Sequence, residues 1–170
     1  MRIIKFNNYI EEMPKLIENH NETVIVESNS PCILYGADEF NNPNLLPTYN
    51  THNFGGVIVN FDTDVCVVHC EINGYAFGDS LMNNLVAWLK SKNINAYRDN
   101  NDLLVDGYKV ASYVSSNCNG VIYSAAHISV KVVLDDIKAI CTKPMIKTPK
   151  GLSEYGITNK ALKAFLNTIY

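Results

Sequence analysis

Apolar and polar residues alternate with a period of two over much of this chain, which predicts a protein rich in β-strands. Clusters of Asn, Asp, Gly and Pro bound most of these runs, as expected where strands end in turns. The predicted strands cover 3–6, 23–27, 32–36, 57–61, 65–72, 94–98, 103–105, 109–115 and 121–129.

Other segments carry apolar residues at helical spacing, as Leu81, Leu85 and Leu89 illustrate. The predicted helices cover 9–19, 81–92, 132–141 and 159–169. Strands and helices do not alternate regularly, so the order favours an α+β fold with mixed β-sheets flanked by a few helices. No linker divides the sequence, and we expect residues 1–170 to form a single domain.

Two connections between strands carry specific predictions. Asp62-Thr63-Asp64 joins two apolar runs and predicts a hairpin. Asp106-Gly107 predicts a tight turn, which fixes the strand register so that Lys109 emerges at a defined point on the sheet. The polar, proline-bearing segment 37–51 is predicted to be a loop, and its length suggests a functional role.

Charge and composition exclude several classes of function. The formal net charge is −3 and the basic residues are scattered, so a general nucleic-acid binder is disfavoured. The longest apolar stretches, such as 120–126, fall far short of the roughly 20 residues of a membrane helix. The N-terminus lacks a secretory hydrophobic region, so we expect a cytoplasmic protein that does not bind membranes.

The five cysteines are an odd number and form no paired CxxC motifs, so neither structural zinc nor another metal site is expected. Cys66 and Cys70 lie four apart in a predicted strand and should share one face. Together with Cys32 they are expected to be small buried hydrophobic residues. Cys118, in a polar turn, and Cys141, after a predicted helix, are the candidates for reactive thiols.

Four short segments, taken in order, resemble the catalytic domain of lipoate and biotin protein ligases. Individually they are weak motifs, and their common order carries the resemblance. The segments are Ile33-Leu34-Tyr35-Gly36, Gly55-Gly56-Val57-Ile58-Val59-Asn60, Asn101-Asp102-Leu103 leading to Lys109-Val110-Ala111-Ser112, and Lys150-Gly151 with Tyr155-Gly156-Ile157-Thr158.

The resemblance implies the fold shared by biotin protein ligases and class II aminoacyl-tRNA synthetases. It implies that Lys109 contacts the acyl carboxylate or its adenylate, and that Gly55 and Gly56 lie against the acyl chain. The ligases would use ATP and Mg²⁺ to activate a lipoyl or octanoyl group, which a lysine on a lipoyl-type carrier domain then accepts. The related octanoyltransferases use a cysteine thioester and no cofactor, and Cys141 lies close to their Pro-Cys-Gly position, with Cys118 as the second candidate.

The resemblance therefore gives Lys109 and Cys141 as catalytic residues. The expected substrate-binding residues are Phe54, Gly55, Gly56, Val57, Asn101, Asp102, Ala111, Ser112 and Tyr123.

The sequence also departs from the family at these motifs. Asn50, Thr51 and His52 stand where the ligases carry an arginine, and Phe54 replaces the first of three glycines. Losing an arginine removes a bidentate contact to phosphate. The alternative hypothesis is therefore a catalytically inactive ligase-like domain that binds a small molecule or a protein partner.

Overall fold

The computed structural model describes residues 1–51 and 55–170. The strands are β1 (Arg2–Lys5), β2 (Thr23–Glu27), β3 (Cys32–Tyr35), β4 (Thr48–Asn50), β5 (Val57–Asn60), β6 (Val65–Ile72), β7 (Ala96–Asp99), β8 (Asp102–Val105), β9 (Tyr108–Cys118) and β10 (Val121–Ile128). The helices are α1 (Phe6–Glu18), α2 (Ala76–Ser91), α3 (Leu134–Ile140) and α4 (Asn159–Ile169), with a 3-10 helix at Leu152–Tyr155. The predicted α+β class is confirmed. Within the described ranges, no helix is both long enough and apolar enough to cross a bilayer.

Two sheets organise the fold. Seven strands form the large sheet in the order β1-β2-β6-β10-β9-β8-β7, and three form the small sheet in the order β4-β3-β5. In the large sheet β1 and β2 run parallel, and all other neighbours run antiparallel. The small sheet is also mixed, because β3 is parallel to β4 and antiparallel to β5.

The large sheet packs on both faces, because successive side chains of a strand point to opposite sides. Along β6, Val65 and Val67 contribute to one core, whereas Cys66, Val68 and Cys70 contribute to the other. The helix-side core contains residues of α2 and α4. The sheet-side core contains residues of α1 and of the small sheet. Cys66 and Cys70 therefore share one face and are buried free thiols, as predicted.

The predicted hairpin at Asp62-Thr63-Asp64 is wrong, because β5 pairs with β3 in the small sheet while β6 pairs with β2 and β10 in the large one. Asp64, which is fully buried, stabilises this crossing between the sheets. Its carboxylate accepts N–H bonds from Phe61 at 3.0 Å, Val130 at 2.7 Å and Lys131 at 3.0 Å.

Several element bounds also differ from the sequence prediction. β4 lies within the predicted loop 37–51, since a three-residue strand with polar ends gives no apolar alternation. α2 begins at Ala76, five residues ahead of the predicted start at 81, and its N-cap residue makes no side-chain capping hydrogen bond. Asp79 accepts a hydrogen bond from the Tyr113 hydroxyl at 2.8 Å.

The predicted Asp106-Gly107 turn is confirmed. Both residues have positive φ, 51° and 85°, and they connect Val105 of β8 to Tyr108 of β9 in adjacent register. Positive φ at both central positions is typical of the two-residue turns that match strand twist. The turn places Lys109 one residue into β9.

Candidate functional site

An open cavity of about 470 Å³, here called the outer hollow, lies where the small sheet meets β8, β9 and the segment after α3. Gly56 and Val57 form one side, Asp102 and Lys109 the opposite side, and residues 141–147 the rim. Its lining residues are Asp38, Glu39, Gly56, Val57, Asp102, Lys109, Cys141, Thr142, Lys143, Pro144, Met145, Ile146 and Lys147.

A smaller cavity of about 160 Å³, here called the inner chamber, adjoins the outer hollow. Five residues line both spaces: Val57, Lys109, Cys141, Met145 and Lys147. The inner chamber is further lined by Ile58, Val59, Ala111, Ser112, His127, Ser129, Ile137 and Pro149. Together the two spaces form a recess that narrows from a charged mouth toward the space between the sheets.

The backbone of Lys109 is held by the segment 148–150. Its N–H donates to the Thr148 carbonyl and its carbonyl accepts from the Lys150 N–H, each at 2.9 Å. The late Lys150-Gly151 motif therefore lies directly beside the lysine strand. The Lys109 ammonium is 3.0 Å from an Asp102 carboxylate oxygen, and its side chain is 37% exposed. Lys109 is therefore a fixed cation in the wall of the recess.

Asp102 links two lysines at the mouth. Its second oxygen accepts a hydrogen bond from the Lys147 ammonium at 2.7 Å, and Lys147 also pairs with Asp99 at 2.8 Å. Burial acts to raise the pKa of the Asp102 carboxyl, but the hydrogen bonds from Lys147 and Lys109 outweigh burial and hold that pKa below its usual value. Hydrogen bonds to Asp102 and Asp99 raise the pKa of Lys147. The mouth is thus a network of alternating charges.

Cys141 directly follows α3. Its N–H donates to the Ile137 carbonyl at 2.9 Å, and its backbone forms an isolated antiparallel bridge with Phe40. The side chain is half-buried and lines both the outer hollow and the inner chamber. Burial raises the pKa of its thiol. Cys141 is therefore a half-buried thiol that lines the recess together with Lys109.

The structure brings many of the sequence-predicted site residues together. Gly56, Val57, Asp102, Lys109, Ala111, Ser112 and Cys141 all line the recess. Phe54 lies outside the described residues. Gly55 is exposed just outside the lining, next to Gly56.

Three other candidates lie elsewhere. Tyr123 is fully buried in the sheet-side core, where Phe6 and Tyr9 of α1 also lie, so its expected contact with substrate is not supported. Asn101 is exposed in the β7–β8 turn, and its carbonyl accepts the Tyr113 N–H at 3.1 Å. Cys118, at the end of β9, packs against the edge of the sheet-side core and lines neither cavity.

The paired glycines leave room at the recess. A Cβ on Gly55 would have no heavy atom of the described residues within 4 Å, and one on Gly56 would make an ordinary contact of 3.5 Å with Asp38. Packing against the described residues therefore does not require glycine at either position. Glycines in such places allow a ligand to approach the backbone closely.

The ion pairs of the rim were not predicted from the sequence. Lys143 pairs with Asp38, which lies more than a hundred positions earlier in the chain, and Lys147 pairs with Asp99 and Asp102. No local pattern marks such pairs, because only the fold brings them together. In residues 1–51 and 55–170, no group of three or more His, Cys, Asp or Glu side chains could hold a metal ion.

No family model matches this sequence, and no curated protein matches it. Several solved structures are similar to this chain. A chain from the structure of a bi-partite lipoate protein ligase and its E2 lipoyl domain from Thermoplasma acidophilum is 12% identical with a TM-score of 0.74, and the match covers 98% of this chain and 80% of that one. A lipoate-protein ligase A bound with ATP is 11% identical with a TM-score of 0.77, at 98% and 80% coverage.

A biotin synthetase for acetyl coenzyme A carboxylase from Helicobacter pylori, solved with biotinylated ATP, is similar at 10% identity and a TM-score of 0.51. That match covers 99% of this chain and 72% of the other. At these identities the likeness establishes the fold, and function must be argued from the site. The chain has the catalytic-domain fold of the lipoate and biotin protein ligases, as its four sequence segments indicated.

Proposed function

We propose that this protein is an acyltransferase that attaches a lipoyl- or octanoyl-type acyl group to a lysine of a carrier domain. The observation that carries the proposal is the convergence of Gly56, Lys109 and Cys141 on one recess, although they are far apart in the sequence. The apolar residues Val57, Ile137 and Met145 line the inner chamber and suit the acyl chain.

The charges of the recess favour a thioester donor over ATP. The sequence contains two arginines, and both are engaged elsewhere: Arg2 with Glu12 at 2.8 Å and Glu22 at 2.9 Å, and Arg98 with Asp79. Each lysine that lines the recess is paired with a carboxylate. A triphosphate needs surplus cationic donors, and the described residues of the recess do not provide them, so ATP and Mg²⁺ do not fit well here.

In this mechanism Cys141 gives up its thiol proton and its sulfur attacks the carbonyl carbon of the donor thioester. The donor sulfur leaves and takes up a proton, so the donor departs as its free thiol. The neutral amine of the carrier lysine then attacks the new thioester on Cys141, which forms the amide, and the proton that the amine loses returns to the departing Cys141 sulfur. Lys109 stabilises the negative oxygen of each tetrahedral intermediate as a fixed cation. Asp102, which also pairs with Lys147, holds the Lys109 ammonium in place.

Transfer can be tested by mass spectrometry of a lipoyl carrier domain mixed with the full chain and one of three donor systems: octanoyl thioester on acyl carrier protein, octanoate with ATP and Mg²⁺, or lipoate with ATP and Mg²⁺. We expect the carrier to gain one octanoyl group from the thioester. Lys109→Ala and Cys141→Ala should each lower the rate by about 100-fold or more. Lys131→Ala, a matched change at an exposed lysine outside the recess, should leave the rate unchanged.

The outcomes separate the two routes. Transfer that needs ATP and survives Cys141→Ala would replace the thioester route with a ligase reaction. No transfer from any of the three donor systems would contradict the proposed function.

A second candidate is ligand binding without turnover. Two observations on the catalytic candidates favour it: Lys109 is ion-paired, and burial raises the pKa of the Cys141 thiol. In that case octanoate or lipoate would raise the melting temperature by mass action, and no donor system would yield product.

A further inference from the structure

One wall of the inner chamber is polar. Ser112, His127 and Ser129 line it on neighbouring strands, where His127 of β10 is the register partner of Ser112 on β9. Ser129 lies two positions beyond His127 and shares its face. His127 is 6% exposed and Ser129 is 9% exposed. Polar side chains are thus grouped at a buried place where an alkyl chain alone would need apolar neighbours.

His127 is held by Asp64 and remains unsatisfied. Its Nε2 is 3.5 Å from Asp64 Oδ2 and has no hydrogen-bond partner among the described residues. The Asp64 carboxylate is fixed by three backbone N–H groups, so it lies at a defined position beside the imidazole. In the tautomer whose Nε2 hydrogen faces this carboxylate, Nδ1 is a hydrogen-bond acceptor. Among the described residues, no donor to Nδ1 is present.

The chamber is also lined by the apolar residues Val57, Val59 and Ile137. A plain alkyl tail would match these apolar residues but would leave the histidine and both serines desolvated without partners. Leaving a buried polar group unpaired costs about 1–3 kcal/mol. A binding site whose buried polar groups form hydrogen bonds with a ligand hydroxyl binds the analogue without that hydroxyl much more weakly.

We propose that the inner chamber selects an acyl group that carries a hydroxyl, in addition to the carboxyl end that Lys109 contacts. A hydroxyl both donates and accepts, so it can donate to His127 Nδ1 and accept from the Ser112 or Ser129 hydroxyl. This inference rests on the proposed function for the position of the acyl group. It narrows the substrate class from simple octanoyl or lipoyl groups to hydroxyacyl groups.

The test compares binding of octanoate, 3-hydroxyoctanoate and 8-hydroxyoctanoate to the full chain by calorimetry, with thermal stabilisation as a second readout. We expect at least one hydroxy acid to bind about tenfold more tightly than octanoate, which corresponds to one net hydrogen bond. Ser112→Ala and His127→Leu should each remove most of this preference. Ser115→Ala removes a serine from the opposite face of β9, where Ser115 pairs with Ser124 at 2.7 Å, and should preserve it.

If His127→Leu does not fold, Ser112→Ala still tests the preference for a hydroxy acid, since it removes a single oxygen. Octanoate binding as tightly as both hydroxy acids would overturn the hydroxyacyl inference and leave acyl transfer standing. If none of the three acids binds, the inference and the proposed acyl site both fail. A preference for a hydroxy acid that persists in Ser112→Ala and His127→Leu would also overturn the role assigned to this wall.

Discussion

The two faces of the large sheet are filled differently. On the helix side, α2 and α4 cover the sheet with a continuous apolar core that includes Leu81, Leu85 and Leu162. None of the buried polar residues in the described ranges lies on these two helices. On the other side the apolar core under α1 gives way, toward β9 and β10, to a recess lined by His127, two serines and charged residues.

This difference indicates that one face mainly stabilises the fold and the other mainly binds ligands. Dense apolar packing supplies most of the free energy of folding. Open space contributes little to stability, and the polar groups beside it are where ligands are recognised. The helix side should therefore dominate the stability of the protein, while substitutions of the partly exposed residues that line the recess should change function with less effect on folding.

The largest expected effect comes from opening the helix-side core. Leu85→Ala removes a fully buried side chain of α2 and should lower the free energy of unfolding by about 2–5 kcal/mol. Val57→Ala, at a half-buried residue that lines the recess, should cost less than about 1 kcal/mol because the neighbouring space is already open. Urea denaturation followed by circular dichroism measures both. Equal losses would contradict the division between the faces.

Substitutions of two glycines, Gly151 and Gly55, test the same difference in packing with a smaller change in volume. A Cβ at Gly151 would lie 2.4 Å from the Val130 carbonyl oxygen and 2.9 Å from the Lys131 Cα, and backbone atoms cannot move aside cheaply. Gly151→Ala should therefore destabilise the protein by about 2–3 kcal/mol. Gly55→Ala meets no heavy atom of the described residues within 4 Å and should stay within about 0.5 kcal/mol of wild type. Thermal unfolding of the two variants shows whether the side of the recess tolerates an added methyl group, as is expected where the space is open.

The sequence predicted best what depends on neighbouring residues. The Asp106-Gly107 turn requires positive φ at two adjacent positions, a local requirement, so the placement of Lys109 in β9 followed from the sequence. Alternation in 65–72 likewise placed Cys66 and Cys70 on one face. The hairpin expected at Asp62-Thr63-Asp64 failed because partner choice depends on distant strands. The strand following this turn pairs with β2 and β10, and no local pattern specifies that.

The site was predictable where a motif and a strand coincide and unpredictable where only the fold creates contact. Lys109, Asp102 and Gly56 were expected together, and they line one cavity. Tyr123 lies on the strand next to β9, but four positions along β10 from His127 correspond to about 13 Å, which takes its side chain into the core. Lys147 was not expected, because its carboxylate partners belong to a separate segment of the chain.

The smallest expected effect concerns the ion network at the mouth. The pKa of Asp102 lies below its usual value in the folded protein, since hydrogen bonds from Lys147 and Lys109 outweigh the effect of burial. A carboxyl whose pKa is lowered by folding stabilises the protein above the unfolded pKa of about 3.9, and this contribution is lost as pH falls through that range. Asp102→Asn should therefore cost about 1 kcal/mol at pH 7, and the difference from wild type should shrink below about pH 4.

The matched control is Asp106→Asn in the same hairpin, because Asp106 forms no ion pair with any described lysine or arginine and Asn tolerates its positive φ of 51°. Denaturant unfolding of the three proteins at a series of pH values from 3 to 8 gives the comparison. If the cost of Asp102→Asn is the same at pH 3 as at pH 7, its carboxylate does not stabilise the lysines electrostatically. The residues at the mouth would then be held in place by packing, as the helix side is. The two faces would not differ in how much charged groups contribute to stability.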